Sequence, residues 1–249
     1  LLDCDVEEPN CHLFFDTRVQ RSEAVCIPVP VLDATKCNGC GLCSQICQFN
    51  AVAFMGELPV LFQELCHGCG GCIWVCPTGA LSEAGSEIGA VEVAAAGRCT
   101  LVQGRLHVGK PLSPPLIRAV KRRAEKDRLT IVDGPPGTAC SAVAALTGCD
   151  YALLVAEPTR FGLHDLGLAV DTVRQLGIPF GVVVNRASGR SDLVRSYCGQ
   201  QGIAVLAEIP ESVALAQVYA RGGIPADEIP ELRPLFEALW SRVLAREAA

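Results

Sequence analysis

The sequence predicts an α/β fold: a doubly wound, mostly parallel sheet with a small cysteine-rich α+β module inserted near its start. Three observations carry this. From about residue 115 onward, short apolar runs alternate with amphipathic stretches, the succession that builds parallel sheets. Cysteines crowd between residues 37 and 76. Acidic strand-end motifs flank that stretch, LLDCDVEEPN before it and IVDGPPGT after it, so the module reads as an insertion. The expected boundaries are residues 1–33 and 85–249 for the two parts of the large domain and 34–84 for the insertion.

In chain order, the first strand is Leu1-Leu2-Asp3-Cys4-Asp5, and Val6-Glu7-Glu8-Pro9-Asn10 follows it. The chain opens in mid-strand at Leu1, so a fragment is expected, with the first strand of the fold upstream. Next come two copies of one run, Cys37-x-x-Cys40-x-x-Cys43-x-x-x-Cys47 and Cys66-x-x-Cys69-x-x-Cys72-x-x-x-Cys76-Pro77. In each, three closely spaced thiolates suit three corners of a 4Fe-4S cubane, and the fourth projects along a short helix to the other cluster. Cys37, Cys40, Cys43 and Cys76 are therefore assigned to one cluster, and Cys66, Cys69, Cys72 and Cys47 to the second. This is the pattern of a bacterial-type, two-cluster ferredoxin.

The runs repeat with an offset of 29 residues, and more than cysteine repeats: Gly39 matches Gly68, Gly41 matches Gly70, and Ala51-Val52 matches Ala80-Leu81. A pseudo-twofold module follows. Its glycines let the backbone approach the inorganic sulfides. Pro77 fixes one exit turn, whereas Gln48 in the equivalent place leaves the other looser. Zinc is the alternative reading, but each zinc site uses two C-x-x-C pairs. A disulfide framework fits the spacing less well, and structural clusters acting as staples are a further alternative. The remaining cysteines (Cys4, Cys11, Cys26, Cys99, Cys140, Cys149, Cys198) lack ligand spacing and default to small buried apolar residues.

After the insertion, Ser113-Pro114-Pro115 starts a helix with Leu116, Ile117 and Val120 on its inner face. Residues 129–132, 151–155, 180–184 and 203–206 read as strands buried on both faces, and Leu166, Ala169, Val173 and Leu176 recur at helical spacing between two of them. In such folds ligands sit beyond the carboxyl ends of the strands. That singles out Asp3 and Asp5, Asp133 before Gly134-Pro135-Pro136-Gly137-Thr138, and Asn185-Arg186. A strand-end Asp before a glycine turn can hold magnesium, and the Gly137 N–H can approach a terminal phosphate. For Asp133 the plain alternative is a helix N-cap, and for Asn185 an ordinary turn residue.

The chain has 249 residues, half of them apolar, enough for one large domain and a small one. Its net charge is −6, and two thiolate-ligated clusters would add roughly four more negative charges. Nucleic acid is therefore excluded as an expected partner. No apolar run reaches the roughly 20 residues that span a bilayer. A cytoplasmic setting, where thiols stay reduced, is expected.

With these residues in view, the chain resembles the MinD superfamily of P-loop ATPases, in the branch that carries an inserted ferredoxin domain. The segments that carry the resemblance are LLDCDVEEPN, the paired cysteine runs, SPPLIRAVK, IVDGPPGT, LLVAEPTRFGLHDL, FGVVVNRA and AEIP. The resemblance implies that Asp5 orients the attacking water and Asp3 supports magnesium. It makes Asp133 the magnesium-side carboxylate and Gly137 the phosphate sensor. Asn185, with Arg186, would read the adenine edge. The family's glycine-rich loop with its two lysines is absent from these residues and is expected upstream of Leu1, so ATP and Mg2+ binding and ATPase activity are conditional on it. Gly104-Arg105-Leu106-His107-Val108-Gly109-Lys110 imitates such a loop, but Pro111 stands where a magnesium-binding Ser or Thr is required.

Several residues receive plainer expectations. His67 is a solvent-facing or cluster-adjacent histidine, while Phe49 and Trp74 fill the small module's core. His164 and Asp165 cap the long amphipathic helix, and the basic run Lys121-Arg122-Arg123 with Lys126 and Arg128 is a solvated face. The expected function is an iron–sulfur protein that couples ATP binding and hydrolysis in a homodimer to electron transfer or metallocofactor maturation. Its partner is a redox or cofactor-assembly protein. The rival is a ferredoxin-type electron carrier on a scaffold that does not hydrolyse nucleotide.

Overall fold

The computed structural model describes residues 1–187, 189 and 191–245. Residues 188, 190 and 246–249 of the expected 85–249 segment lie outside the described residues. By packing, the chain divides into two units. One comprises Leu1–Pro9 with Thr17–Asp133, the other Asn10–Asp16 with the chain from Gly134 onward.

The first unit contains, in chain order, β1 (Leu2–Asp3), β2 (Thr17–Leu32), α1 (Leu42–Ile46), β3 (Val52–Met55), β4 (Leu58–Leu61), α2 (Gly71–Trp74), β5 (Leu81–Ala96), β6 (Cys99–Leu106), α3 (Pro114–Lys121) and β7 (Val132–Asp133). Its main sheet has the order β2-β5-β6-β1-β7. β1 pairs in parallel with β6 and with β7, the α/β geometry the sequence predicts. A long antiparallel ribbon, β2 against β5, each of 16 residues, extends that sheet. β2 is the free edge, which is why it accommodates Pro28 and Pro30, residues that offer no N–H to a neighbouring strand. Val25, Ile27 and Val29 alternate inward between Cys26, Pro28 and the other exposed residues, the period-two pattern of a strand covered on one face.

Leu32 and Leu81 are Cα partners at the far end of the ribbon, so residues 33–80 connect its two arms. That connection holds α1, α2 and the β3/β4 hairpin around a small core of Cys43, Val52, Cys72 and Leu81. At the other end, α3 covers the sheet with Leu116, Ile117 and Val120, all fully buried. Pro114 and Pro115 sit in its first turn, where a missing N–H costs nothing. The close fit of α3 explains Gly104 on β6. A Cβ there would collide with Val6 and Val120.

The second unit contains α4 (Cys140–Leu146), β8 (Ala152–Ala156), α5 (Arg160–Gln175), β9 (Phe180–Ala187), α6 (Asp192–Gln201), β10 (Val205–Pro210), α7 (Val213–Ala220), α8 (Pro225–Glu228) and α9 (Arg233–Leu244). Its three strands are all parallel, in the order β10-β9-β8. β9 is buried on both faces, as its unbroken apolar run predicts: Val182 and Val184 pack with Val170, Val173 and Val194, and Val183 packs with Leu206 and Leu239. The N-cap of α5 is Thr159, whose Oγ1 accepts from the Gly162 N–H at 2.9 Å. The expectation that His164 and Asp165 cap this helix is corrected, because both lie a turn inside it and are exposed.

Candidate metal centres and strand-end site

The two cysteine runs fold alike. Gly39 and Gly68 both have φ +67°, and Gly41 and Gly70, which precede α1 and α2, both have φ +72°. These left-handed conformations suit glycine and fold each loop tightly ahead of its short helix. One cavity, of about 310 Å3 with its mouth, is lined by Cys37, Cys40, Cys43 and Cys76, together with Leu32, Phe54 and Leu81. Another, of about 450 Å3, is lined by Cys66, Cys69, Cys72 and Cys47, together with Ile46 and Ile73. Each run thus contributes three thiols to its own cavity and its last thiol to the other. The structure brings together the two ligand sets read from the spacing.

The chemistry of these cavities fits a polynuclear core. Among the described residues, no three of the eight sulfurs lie mutually within 4.8 Å. A single zinc with Zn–S bonds of about 2.3 Å would draw its sulfurs to about 3.8 Å apart. Burial pushes the Cys43 and Cys72 thiols up, and the neighbouring cysteines add to the effect: Cys40 and Cys37 on Cys43, Cys66 and Cys69 on Cys72. Thiolates in these positions need a cationic core against them. Burial also raises Cys76, but hydrogen bonds from Thr78, Leu81 and Ala80 outweigh it and leave this thiol below its ordinary value. Further N–H donors point at sulfur, Ala51 at Cys47 Sγ (3.3 Å) and Gly68 at Cys66 Sγ (3.4 Å).

Two expectations for the module need correction. Trp74 is 87% exposed rather than part of the core. A helix of four residues has one inward face, and Cys72 occupies it. Phe49 is at the surface as well, stacked on His67 with ring centroids 3.7 Å apart and planes 6° from parallel. His67 is exposed, within the loop that lines the second cavity.

In the first unit the strand-end carboxylates gather. Asp3 is fully buried, and its Cα partner across the β1/β7 pair is Asp133, which is exposed. Asp5 donates its backbone N–H to Asp3 Oδ1 at 3.2 Å. Burial raises the Asp5 carboxyl above its ordinary value, and the charges of Asp3, Asp133 and Glu7 raise it further. The row continues in a direction the sequence did not single out. Asp3 is also the Cα partner of Gln103 on β6, and Gln103 is that of Glu92 on β5. Its signal in the sequence is two polar residues, Gln103 and Arg105, alternating with Val102, Gly104 and Leu106 on a strand. The loop-like run from Gly104 to Lys110 is instead the end of β6 and a turn.

In the second unit Gly137 has φ +84° and open space where a Cβ would stand. Asn185 and Arg186 lie near the end of β9. The Asn185 side-chain oxygen accepts from the Arg186 N–H at 3.0 Å, and this helps hold Arg186 at φ +51°. The Arg186 guanidinium pairs with Glu157 at 3.2 Å. In the basic run of residues 121–128, Arg122, Arg123, Lys126 and Arg128 are exposed as expected and Lys121 is half-buried; Arg123 pairs with Glu23 and Arg128 with Glu125.

Comparison with known proteins agrees with the cysteine geometry. The 4Fe-4S binding domain model matches twice, over residues 30–53 and 59–82. The segment is therefore an iron–sulfur one of the ferredoxin type. The chain is 34% identical over 193 residues to the Uncharacterized protein MJ0578 of Methanocaldococcus jannaschii, covering 74% of this chain and 66% of that protein. It is 31% identical over 124 residues to the Uncharacterized protein MJ0579 of the same organism, covering 49% of this chain and 43% of that protein. The chain thus spans just under two thirds of the first relative's length and under half of the second's. Among solved structures, the Pyrococcus furiosus cell division ATPase MinD aligns with TM-score 0.48 and 22% identity over 61% of this chain and 69% of that one. The Aquifex aeolicus MinD cell division protein aligns with TM-score 0.46 and 18% identity, over 64% and 70%. No described helix is long and apolar enough to cross a membrane.

Proposed function

We propose that this chain belongs to a MinD-like, ATP-dependent iron–sulfur protein, in which nucleotide state at the strand-end carboxylates controls a two-cluster electron-transfer module. One observation carries the reading. The ribbon arms that end in the eight-cysteine module belong to the same five-stranded sheet as Asp3 and Asp133. A change at those carboxylates therefore acts on the base of the element that carries the cysteines.

Cys37, Cys40, Cys43 and Cys76 hold one cluster, and Cys66, Cys69, Cys72 and Cys47 the other. Bound clusters supply one-electron transfer. The chain's own part is to fix the thiolates and aim backbone N–H groups at them, which favours the more negative, reduced state. Asp3 and Asp133 hold magnesium. Asp5, its carboxyl raised by burial and by its acidic neighbours, orients the attacking water. In the second unit, Gly137 offers an N–H to a terminal phosphate and Asn185 with Arg186 reads the adenine edge. Nucleotide binding is conditional on a glycine-rich lysine loop of the kind that cradles phosphates in the MinD superfamily. The working protein is a homodimer in the cytoplasm that meets a redox or cofactor-assembly partner.

The test is ATP hydrolysis by the full-length, cluster-loaded protein. Hydrolysis that falls by about 100-fold or more in Asp5→Asn, with cluster content unchanged, supports the reading, since a positioned base contributes at least that much. Absence of hydrolysis would instead favour an electron carrier on a non-hydrolysing scaffold.

A further inference from the structure

A polar row crosses four strands of the first unit. Glu92 on β5, Gln103 on β6, Asp3 on β1 and Asp133 on β7 are successive Cα partners, so their side chains share one face of the sheet. The adjacent row, Val93, Val102, Leu2 and Val132, is wholly apolar and faces the other way. The centre of the polar row is shut off from water, with Gln103 at 4% exposure and Asp3 at 0%.

Gln103 donates from Nε2 to Glu92 Oε2 at 2.7 Å, and Arg105 reaches the same oxygen at 3.7 Å. The other end of the amide, Oε1, is buried and accepts no hydrogen bond. A buried acceptor without a partner is unfavourable, and one at the centre of a sheet has no water to turn to.

An amide has one donor end and one acceptor end, and Gln103 lies between two carboxylates. In the structure Nε2 serves Glu92, and Oε1 is left without a donor. With a divalent cation against Asp3 and Asp133, Asp3 needs no further donor and Oε1 gains a positive partner, so Nε2 stays with Glu92. Without the cation, the buried Oε1 shares the face with a carboxylate and has no positive partner, which weakens the preference for the orientation that keeps Nε2 on Glu92. The amide is a two-state element whose balance the cation biases.

We propose that Gln103 is a positioning residue that reports divalent-cation occupancy at Asp3 and Asp133 to Glu92 on β5, the ribbon arm returning from the cluster module. The proposal rests on the reading of those two carboxylates as the cation site.

The experiment follows the Gln103 side-chain amide by NMR in full-length protein labelled with 15N-glutamine, with Mg2+ and ATP as the probe. Binding is measured in parallel by calorimetry. The resonance is identified by its loss in Gln103→Met; should that variant fail to fold, Glu92→Gln identifies it through its direct hydrogen-bond partner. The resonance is expected to move with Mg2+ and ATP and to stay in place with ATP and EDTA. In Glu92→Gln the movement should at least halve. An unmoved resonance in protein that binds Mg2+ and ATP overturns this inference and leaves the nucleotide reading standing. Equal movement without Mg2+ also overturns it, and failure to bind Mg2+ and ATP overturns both.

Discussion

Asp3 and Asp133 face each other across a parallel strand pair, one fully buried and the other exposed. Beside them the Asp5 carboxyl is raised first by its own burial, and the charges of Asp3, Asp133 and Glu7 raise it further.

The interlocked ligand sets make a selective prediction. Cys76→Ser, in the second run, should damage the cluster of Cys37, Cys40 and Cys43, and Cys47→Ser the cluster of Cys66, Cys69 and Cys72. Each variant should retain about half the iron, because each cubane holds four. EPR of the reduced variants should show different surviving signals. The same surviving signal in both would contradict the crossed assignment.

Exposure separates two apolar residues that look alike in sequence. Ile117, fully buried in α3, should cost about 2–5 kcal/mol when changed to Ala. Trp74→Ala, on a side chain that is 87% exposed, should change stability by no more than about 0.5 kcal/mol and leave iron content intact. Denaturant unfolding of both variants provides the comparison.

Gly104→Ala should destabilise by about 1–3 kcal/mol, because its Cβ meets Val6 and Val120 in a packed layer. The run that imitates a phosphate loop would then be shown to matter for packing. Nucleotide affinity, measured on the folded fraction, should not change.

The exposed pair Arg195–Glu208 gives a pH test. Arg195 Nη2 lies 2.6 Å from Glu208 Oε2, and this hydrogen bond holds the Glu208 carboxyl below its ordinary value. A lowered carboxyl stabilises the fold above its unfolded value of about 4.3, and that contribution disappears as pH falls through the folded value. Glu208→Gln should therefore cost up to about 1 kcal/mol at pH 7. The gap to the parent should close in acid, below pH 4 or so. A gap that is independent of pH would show that the ion pair is not its source.

The two sets of cysteines that line the cavities were legible because a cubane demands a spacing that few other structures share. Of the parallel strands, β9 was legible for a similar reason, since a strand covered on both faces reads as the unbroken run Val182-Val183-Val184. The runs at 129–132 and 151–155 carried the same signal, but Leu129, Ile131 and Val155 are exposed, which corrects the expectation that those strands are buried on both faces. The ribbon was harder. Its outer half, Thr17 to Ala24, is mostly exposed and carries charges, so burial leaves no period there to read. Trp74 misled because a large aromatic next to Cys72 looks like core, and a four-residue helix is too short for periodicity to correct it. Gln103 could not be weighed from sequence, since its meaning comes from strand register, which brings Glu92 and Asp3 to either side of it.

The central claim is that nucleotide state reaches the clusters, and an EPR-monitored redox titration of the full-length protein tests it most directly. With Mg2+ and ATP bound, the midpoint potential of at least one cluster should shift from its nucleotide-free value, and the shift should vanish in Asp133→Asn. Identical potentials with and without bound Mg2+ and ATP would contradict the account.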